Sequence, residues 1–249
     1  MALETIIADN RLTNAGLRLA LTRLGSAVKS TVPGSSAGAG VAFMDVAVEL
    51  HARNREAGWW SHIDTGLPKE RNVGELLMLM VSELAEFPHF PDSESKMDDK
   101  LPHRLMAEVE LADCAIRIFD TVGALAPAAH LSFVAGLNFD PFEDTLAWRM
   151  ADVTLMRIVR LLAEAMEYHR KNRVLTVPAV QVIPTAGDNP TITVRGFDWY
   201  LGHAAFAIFD FGWRLGLNVP GAIAEKVEYN QQREDHKIEA RKQDGGKQY

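Results

Sequence analysis

The sequence predicts an all-α protein: a helical bundle of two related modules, with a small β-hairpin inserted in the second. Three observations carry this prediction. Apolar residues recur at three- and four-residue intervals through most of the 249 positions. Helix punctuation divides these stretches, with a capping box at Asn72 and Glu75 and with Pro88, Pro91 and Pro127 as stops. β-branched residues gather in one window, 174–196, around a Pro/Gly/Asp/Asn turn.

The elements follow in order. Residues 4–30 read as a helix, with Ile6, Ile7, Leu12, Leu17, Leu19, Leu21 and Leu24 at helical spacing. PGSSAGAG (33–40) reads as a linker. A second helix runs from Val41 to Glu56 and stops at Gly58. WWSHIDTGLPKER is a loop. A third helix starts at the Asn72 cap, carries LLMLMVSELAEF and ends near Phe87, because prolines cannot continue it. PHFPDSESKMDDKLPH is a polar loop, and a fourth helix covers roughly 103–125. The second half repeats the plan. A helix spans roughly 143–172, the hairpin window follows, a helix runs from Phe197 to Leu215, and a short helix begins after Pro220. The tail QDGGKQY is a loop. CAIRIFDTVGAL (114–125) matches AAFAIFDFGWRL (204–215) with Ile-Phe-Asp in register, and SELAEF (82–87) matches AEAMEY (163–168) with two glutamates three apart. The expected division is 1–40 for an N-terminal helix and linker, 41–130 for the first module and 140–249 for the second.

Composition excludes several classes. The chain is 47% apolar and 24% charged, ordinary for a globular protein. A net charge of −7 argues against a broad nucleic-acid-binding face. The single cysteine, Cys114, makes neither an internal disulfide nor a four-cysteine zinc site. No apolar run is long enough for a membrane span, and MALETIIADNR lacks the pattern of a signal peptide. The expectation is a cytoplasmic protein that binds neither membrane nor nucleic acid.

The chemistry is expected on the third and fourth helices. Glu83 and Glu86 project from nearly one face, and Glu83 falls inside the apolar stripe of Leu76, Met80, Leu84 and Phe87, with Leu79 beside it. A carboxylate there is desolvated unless a cation meets it. On the fourth helix Glu110, Asp113, Arg117 and Asp120 form one stripe on an otherwise apolar cylinder. ExxE and ExxD are commonly solvated faces, but both pairs here interrupt apolar stripes. Four carboxylates on two adjacent helices call for a divalent metal, and all-oxygen ligation suits Mg²⁺ or Mn²⁺. The competing reading pairs Arg117 with Glu110 or Asp113 as a structural ion pair. A carboxylate di-iron bundle needs two Glu-x-x-His elements, and only Glu86-Phe-Pro-His89 fits, broken by Pro88.

These runs resemble the MazG-like nucleotide pyrophosphohydrolases of the all-α NTP pyrophosphatase superfamily. That family carries ExxE, a spacer, then ExxD on two helices; here Glu83-Leu-Ala-Glu86 and Glu110-Leu-Ala-Asp113 stand 23 residues apart. NVGELLMLMVSELAE (72–86), DDKLPHR (98–104), EVELADCAIRIFD (108–120) and the final run from Gly221 look similar too. The departures are 95 residues between Leu125 and Gly221, a Phe-Pro-His-Phe-Pro segment after the first ExxE, and Tyr200-Leu-Gly-His203 in place of a second ExxD. The second half instead holds Glu164-Ala-Met-Glu167-Tyr-His-Arg170-Lys171-Asn172. A tandem duplication with divided labour accounts for this: a pseudo-dimer with one complete site.

The resemblance implies Mg²⁺-dependent cleavage of nucleoside triphosphates to monophosphate and pyrophosphate. Its metal ligands are Glu83, Glu86, Glu110 and Asp113, one glutamate being a candidate general base. Asp120 becomes a candidate for supporting the ligands or the sugar pocket. Arg170, Lys171, Lys226, Arg233 and Lys237 are candidates for phosphate, and Tyr229 and Asn230 for sugar or phosphate. Trp59 and Trp60 either stack a base or pack on the core. His51, His130 and His236 are expected to be structural. Association into homodimers is expected, and the rival reading is a catalytically inactive, nucleotide- or metal-binding relative.

Overall fold

The computed structural model describes residues 12–29, 35–125, 148–172, 180–183, 191–194 and 196–247. The architecture is a mostly helical bundle. Its helices are α1 (Asn14–Lys29), α2 (Ser35–Glu56), α3 (Val73–Glu86), α4 (Met106–Leu125), α5 (Ala151–Lys171), α6 (Phe197–Arg214), α7 (Val219–Gln232) and the short α8 (Ile238–Arg241). Two strands, β1 (Val180–Ile183) and β2 (Thr191–Val194), pair antiparallel with Val180 opposite Val194. They fall inside the window where a hairpin is expected; the turn between them lies outside the described residues.

Several boundaries move. The first helix begins at Asn14, because Thr13 Oγ1 accepts from the Gly16 backbone N–H at 3.1 Å and caps it. Residues 4–11 lie outside the described residues. Within the expected linker, 35–40 are helical and continue into Val41, so the boundary drawn at 40 falls inside α2. α3 starts where the capping box predicts, with Asn72 Oδ1 accepting from Glu75 N–H at 3.1 Å. α5 starts at Ala151 rather than near 143; residues 126–147, with His130, lie outside the described residues. After α7 a 3₁₀ turn (Glu234–His236) and α8 precede the tail QDGGKQY.

α4 is the centre of the molecule and packs on α2, α3, α6 and α7. Fourteen of its residues are buried, Glu110 and Asp120 among them. At Gly123 a Cβ would fall 2.2 Å from the Ala47 carbonyl oxygen, so only glycine lets α2 approach this closely. α3 packs on α4 and α5 on α6, and these pairs meet through α3–α5 and α4–α6 contacts. The last long helix, α7, does not stay with its own half. It packs on α4 and α1 far more than on α6. Arg104, just before α4, fixes it there. Arg104 Nε and Nη2 both donate to Glu225 at 2.7 Å, and Glu108 accepts the Asn218 backbone N–H.

Candidate active site

The polar interruptions of α3 and α4 meet. Glu83, Glu110 and Asp113 each offer one carboxylate oxygen, and these lie within 4.8 Å of one another. Glu83 is carried inward because Met80 and Phe87, about a turn to either side, are core residues. Glu86 stays exposed and lines the same cavity. The cavity is about 440 Å³, large enough for a small-molecule ligand.

Cations already meet two of the acids. Lys226, on α7, is 2% exposed and donates to Asp113 Oδ2 at 2.5 Å. Arg117 donates through Nε to Glu83 Oε1 at 2.5 Å. The sequence-level alternative of Arg117 on Glu110 or Asp113 is therefore corrected: the side chain reaches across to α3, where Glu83 is buried and needs a partner. Burial pushes the Asp113 carboxyl up, against the pull of Lys226. Glu110 has no ion pair among the described residues. Burial first, then the charges of Asp113, Glu86 and Glu83, push its carboxyl up to about 8.

The rest of the wall comes from α7, the tail and two loops. Asn230 and Arg233 line the cavity beside Lys226, as do His236 and Lys247. The Asn230 Oδ1 atom is buried there with no hydrogen-bond partner. Lys100 is delivered by Asp98, whose Oδ1 accepts from the Lys100 and Leu101 backbone N–H groups at 2.9 and 2.7 Å. Burial pulls its ammonium down, but Asp99, Asp113, Asp98 and Glu110 together hold it above its ordinary value. Arg71 is buried, donates to the Trp59 carbonyl at 3.2 Å and lies 5.6 Å over the Trp60 ring. The cavity is thus lined by acids from α3 and α4 and by cations from α4, α7, the loops and the tail.

Asp120, two turns beyond Asp113, also lines the cavity. Its carboxylate accepts from Trp60 Nε1 at 3.0 and 3.1 Å and lies 2.9 Å from His51 Nδ1. Trp60 thus holds Asp120 rather than standing free. Trp59 lines the cavity with the Arg241 guanidinium stacked 3.6 Å from its ring centre and His236 edge-on at 5.3 Å.

Three expected phosphate ligands lie elsewhere. Arg170 and Lys171 are exposed at the end of α5 and pair with Glu167 at 2.6 and 2.8 Å. Lys237 is exposed and pairs with Glu234 at 2.6 Å. None lines the cavity, because each finds a carboxylate within its own turn of helix or 3₁₀ segment. Tyr229 lies under Arg233, 5.7 Å from ring centre to guanidinium. In the second half Glu164 is exposed, and buried His203 bonds to the Trp199 carbonyl at 2.8 Å.

Cavity-lining residues that sequence reasoning does not single out are Lys100, Arg71, Lys247 and Asn54, while His51 and His236, expected to be structural, contact Asp120 and Trp59. Lys100, Arg71 and Lys247 lie outside the helices, where no periodicity marks an inward side chain, whereas Asn54 and His51 are on α2 and His236 is in the 3₁₀ turn. His51 carries one usable signal: it faces the same helix interface as the core residues Ala47 and Leu50 on α2.

Comparison of the chain with protein-family models, curated proteins and solved structures finds no match. No helix among the described residues is long and apolar enough to cross a membrane.

Proposed function

We propose that this chain is a divalent-metal-dependent pyrophosphohydrolase that cleaves (deoxy)nucleoside triphosphates to monophosphate and pyrophosphate, a MazG-like enzyme. One observation carries the reading. Glu83 and Asp113, clustered with buried Glu110, line a cavity that lysines and arginines line as well, and such a mixture of acids and cations is what a metal-bound triphosphate requires.

The donor set fits Mg²⁺ or Mn²⁺. All three groups are hard oxygen ligands, and Glu110 is buried among like charges, a position a divalent cation would relieve. When bound, such an ion polarises phosphoryl oxygens and acidifies a bound water. The chain's own residues do the rest. Glu83, Glu110 and Asp113 would hold the ion. Glu86, on the cavity but outside the three-acid cluster, is the candidate to accept a proton from the attacking water. Lys226, Arg233, Lys100 and Asn230 orient phosphate oxygens. Asp120, fixed by Trp60 and His51, offers a preset acceptor to the nucleoside. The α7 residues and the acids come from opposite halves of the sequence, which supports one complete site per chain in a duplicated molecule. Met78 on α3 and Val153 and Met156 on α5 are exposed apolar side chains available to a second copy, which supports the homodimer.

The second reading, a nucleotide- or metal-binding protein without turnover, is favoured by the Lys226–Asp113 and Arg117–Glu83 pairs, which already neutralise two acids. One experiment separates the two. A panel of NTPs and dNTPs with Mg²⁺ or Mn²⁺ is resolved by ion exchange, with Glu110→Gln alongside. Monophosphate plus pyrophosphate from the wild type, reduced at least a hundredfold in the variant, is expected, since a metal ligand is lost. Bound metal with no turnover on any nucleotide selects the second reading.

A further inference from the structure

The segment beyond α7 holds charges whose arrangement goes past the catalytic assignment. Arg233 and Lys247 both line the cavity, and both are bound to a single carboxylate. Arg233 Nε and Nη2 donate to the two oxygens of Asp235 at 2.8 and 2.6 Å, and Lys247 Nζ donates to Oδ2 at 2.9 Å.

The fold goes to some length to place Lys247 there. After the 3₁₀ turn and α8 the chain doubles back. Arg241, 2% exposed, stacks on Trp59 and donates to the carbonyls of Ala57 and Lys247, each at 3.1 Å. At Gly246 a Cβ would fall 2.4 Å from the Arg241 carbonyl oxygen, so the return is close enough to require glycine. A buried arginine is thus committed to holding the backbone of Lys247 beside the loop that follows α2.

A guanidinium fork and an ammonium closed on one planar anion is the arrangement that recognises phosphate oxygens. We propose that Arg233 and Lys247 form a seat for the pyrophosphate portion of the substrate, and that Asp235 is its internal occupant, displaced when phosphate enters. This rests on the reading of the cavity as a nucleoside triphosphate site. Asp235 suits the role because its side chain is 46% exposed. It can turn to water with little loss, while a phosphate group brings more charge and more acceptor oxygens to the same two cations. The hydrogen bonds from Arg233, then Lys247, hold its carboxyl well below the usual range, so it competes as an anion at any working pH. Asp235 therefore sets the affinity of the seat from within.

Titration calorimetry of the full chain with inorganic pyrophosphate and Mg²⁺ tests this directly. Asp235→Asn is expected to bind roughly two- to fivefold tighter, the range that ion pairs of this exposure represent, and Lys247→Met to bind weaker by a similar factor. Thermal melts of both variants check folding, which a surface substitution at either position leaves intact. Affinity unchanged or weakened in Asp235→Asn, or unchanged in Lys247→Met, overturns the proposal. Turnover on the same samples keeps the two readings apart. The expected affinity order with no hydrolysis of any nucleotide keeps the seat and removes the catalytic reading; hydrolysis without that order removes the seat alone.

Discussion

Replacing Glu110 with Gln probes the electrostatics of the site without reference to activity. Glu110 is 3% exposed. Burial, and then the neighbouring carboxylates, hold its carboxyl at about 8 against an ordinary value of 4.5. The folded chain binds this proton more tightly than the unfolded chain does. The associated stability is therefore complete below pH 4.5 and is lost as the pH rises toward 8. At about 1.4 kcal/mol per pH unit the loss comes to about 3 kcal/mol at pH 7, and about 5 kcal/mol above pH 8. Glutamine has nearly the same shape and stays neutral throughout. Metal-free Glu110→Gln is thus expected to be more stable than the wild type by a few kcal/mol at pH 8.5, and to differ by less than about 1 kcal/mol at pH 5. Urea unfolding in EDTA at the two pH values measures this. Adding Mg²⁺ should then raise the wild type more than the variant, because binding to the folded state adds to its stability. A variant less stable than the wild type at pH 8.5 in EDTA refutes the argument.

Two further outcomes concern the frame that brings the site together. Glu225 is held down to about 2, by the Arg104 hydrogen bonds first and His103 second, so its contribution is complete above pH 4.5 and is lost as the pH falls toward 2. With its side chain 27% exposed, Glu225→Gln should cost about 1–2 kcal/mol at neutral pH after allowance for solvent screening, and thermal melts should converge with the wild type near pH 2. Gly123→Ala should cost at least about 1–3 kcal/mol, because its Cβ meets the Ala47 backbone rather than a movable side chain; a circular-dichroism melt within a degree of the wild type contradicts the close approach of α2 to α4.

How much of the fold and the site is legible in the sequence divides along physical lines. The helices are, because burial imposes a period: Leu76, Met80, Leu84 and Phe87 mark one side of α3 by their spacing alone, and all four are buried. The anomaly of Glu83 inside that stripe is legible for the same reason, and so is the acidic run on α4. The ends of helices are less so, since a cap such as Thr13 acts through a single hydrogen bond, weak beside packing. SSAGAG looks like a linker by composition, yet it is helical where it continues a helix packed on α1 and α4. Cations are the hardest to place. Lys226 and Lys237 look alike in sequence, but Lys226 is buried on α7 against Asp113, while Lys237 is paired locally in solvent. Only the docking of α7 across the two halves separates them, and no local pattern encodes it. Lys100 depends on an Asx-type turn at Asp98, and Lys247 on a chain reversal beneath Arg241.

The ion pairs at the site bear on both functional readings, and their arrangement decides what each requires. Lys226 is almost fully buried, so removing Asp113 from it leaves an unpaired ammonium, which is costly. Arg117 has a side chain 36% exposed and can release Glu83 at far smaller cost. An ion that takes Glu83 and Glu110 therefore disturbs only the exposed pair. One that also takes Asp113 leaves Lys226 in need of a new anion, and the cavity it lines has Asn230 and Arg233 beside it. A phosphate group there meets that need. Metal and phosphate are therefore expected to bind together more tightly than either does alone, and the Asp113–Lys226 pair is the element that couples them. Both readings share this coupling, because it depends on binding at the Asp113–Lys226 pair and not on turnover.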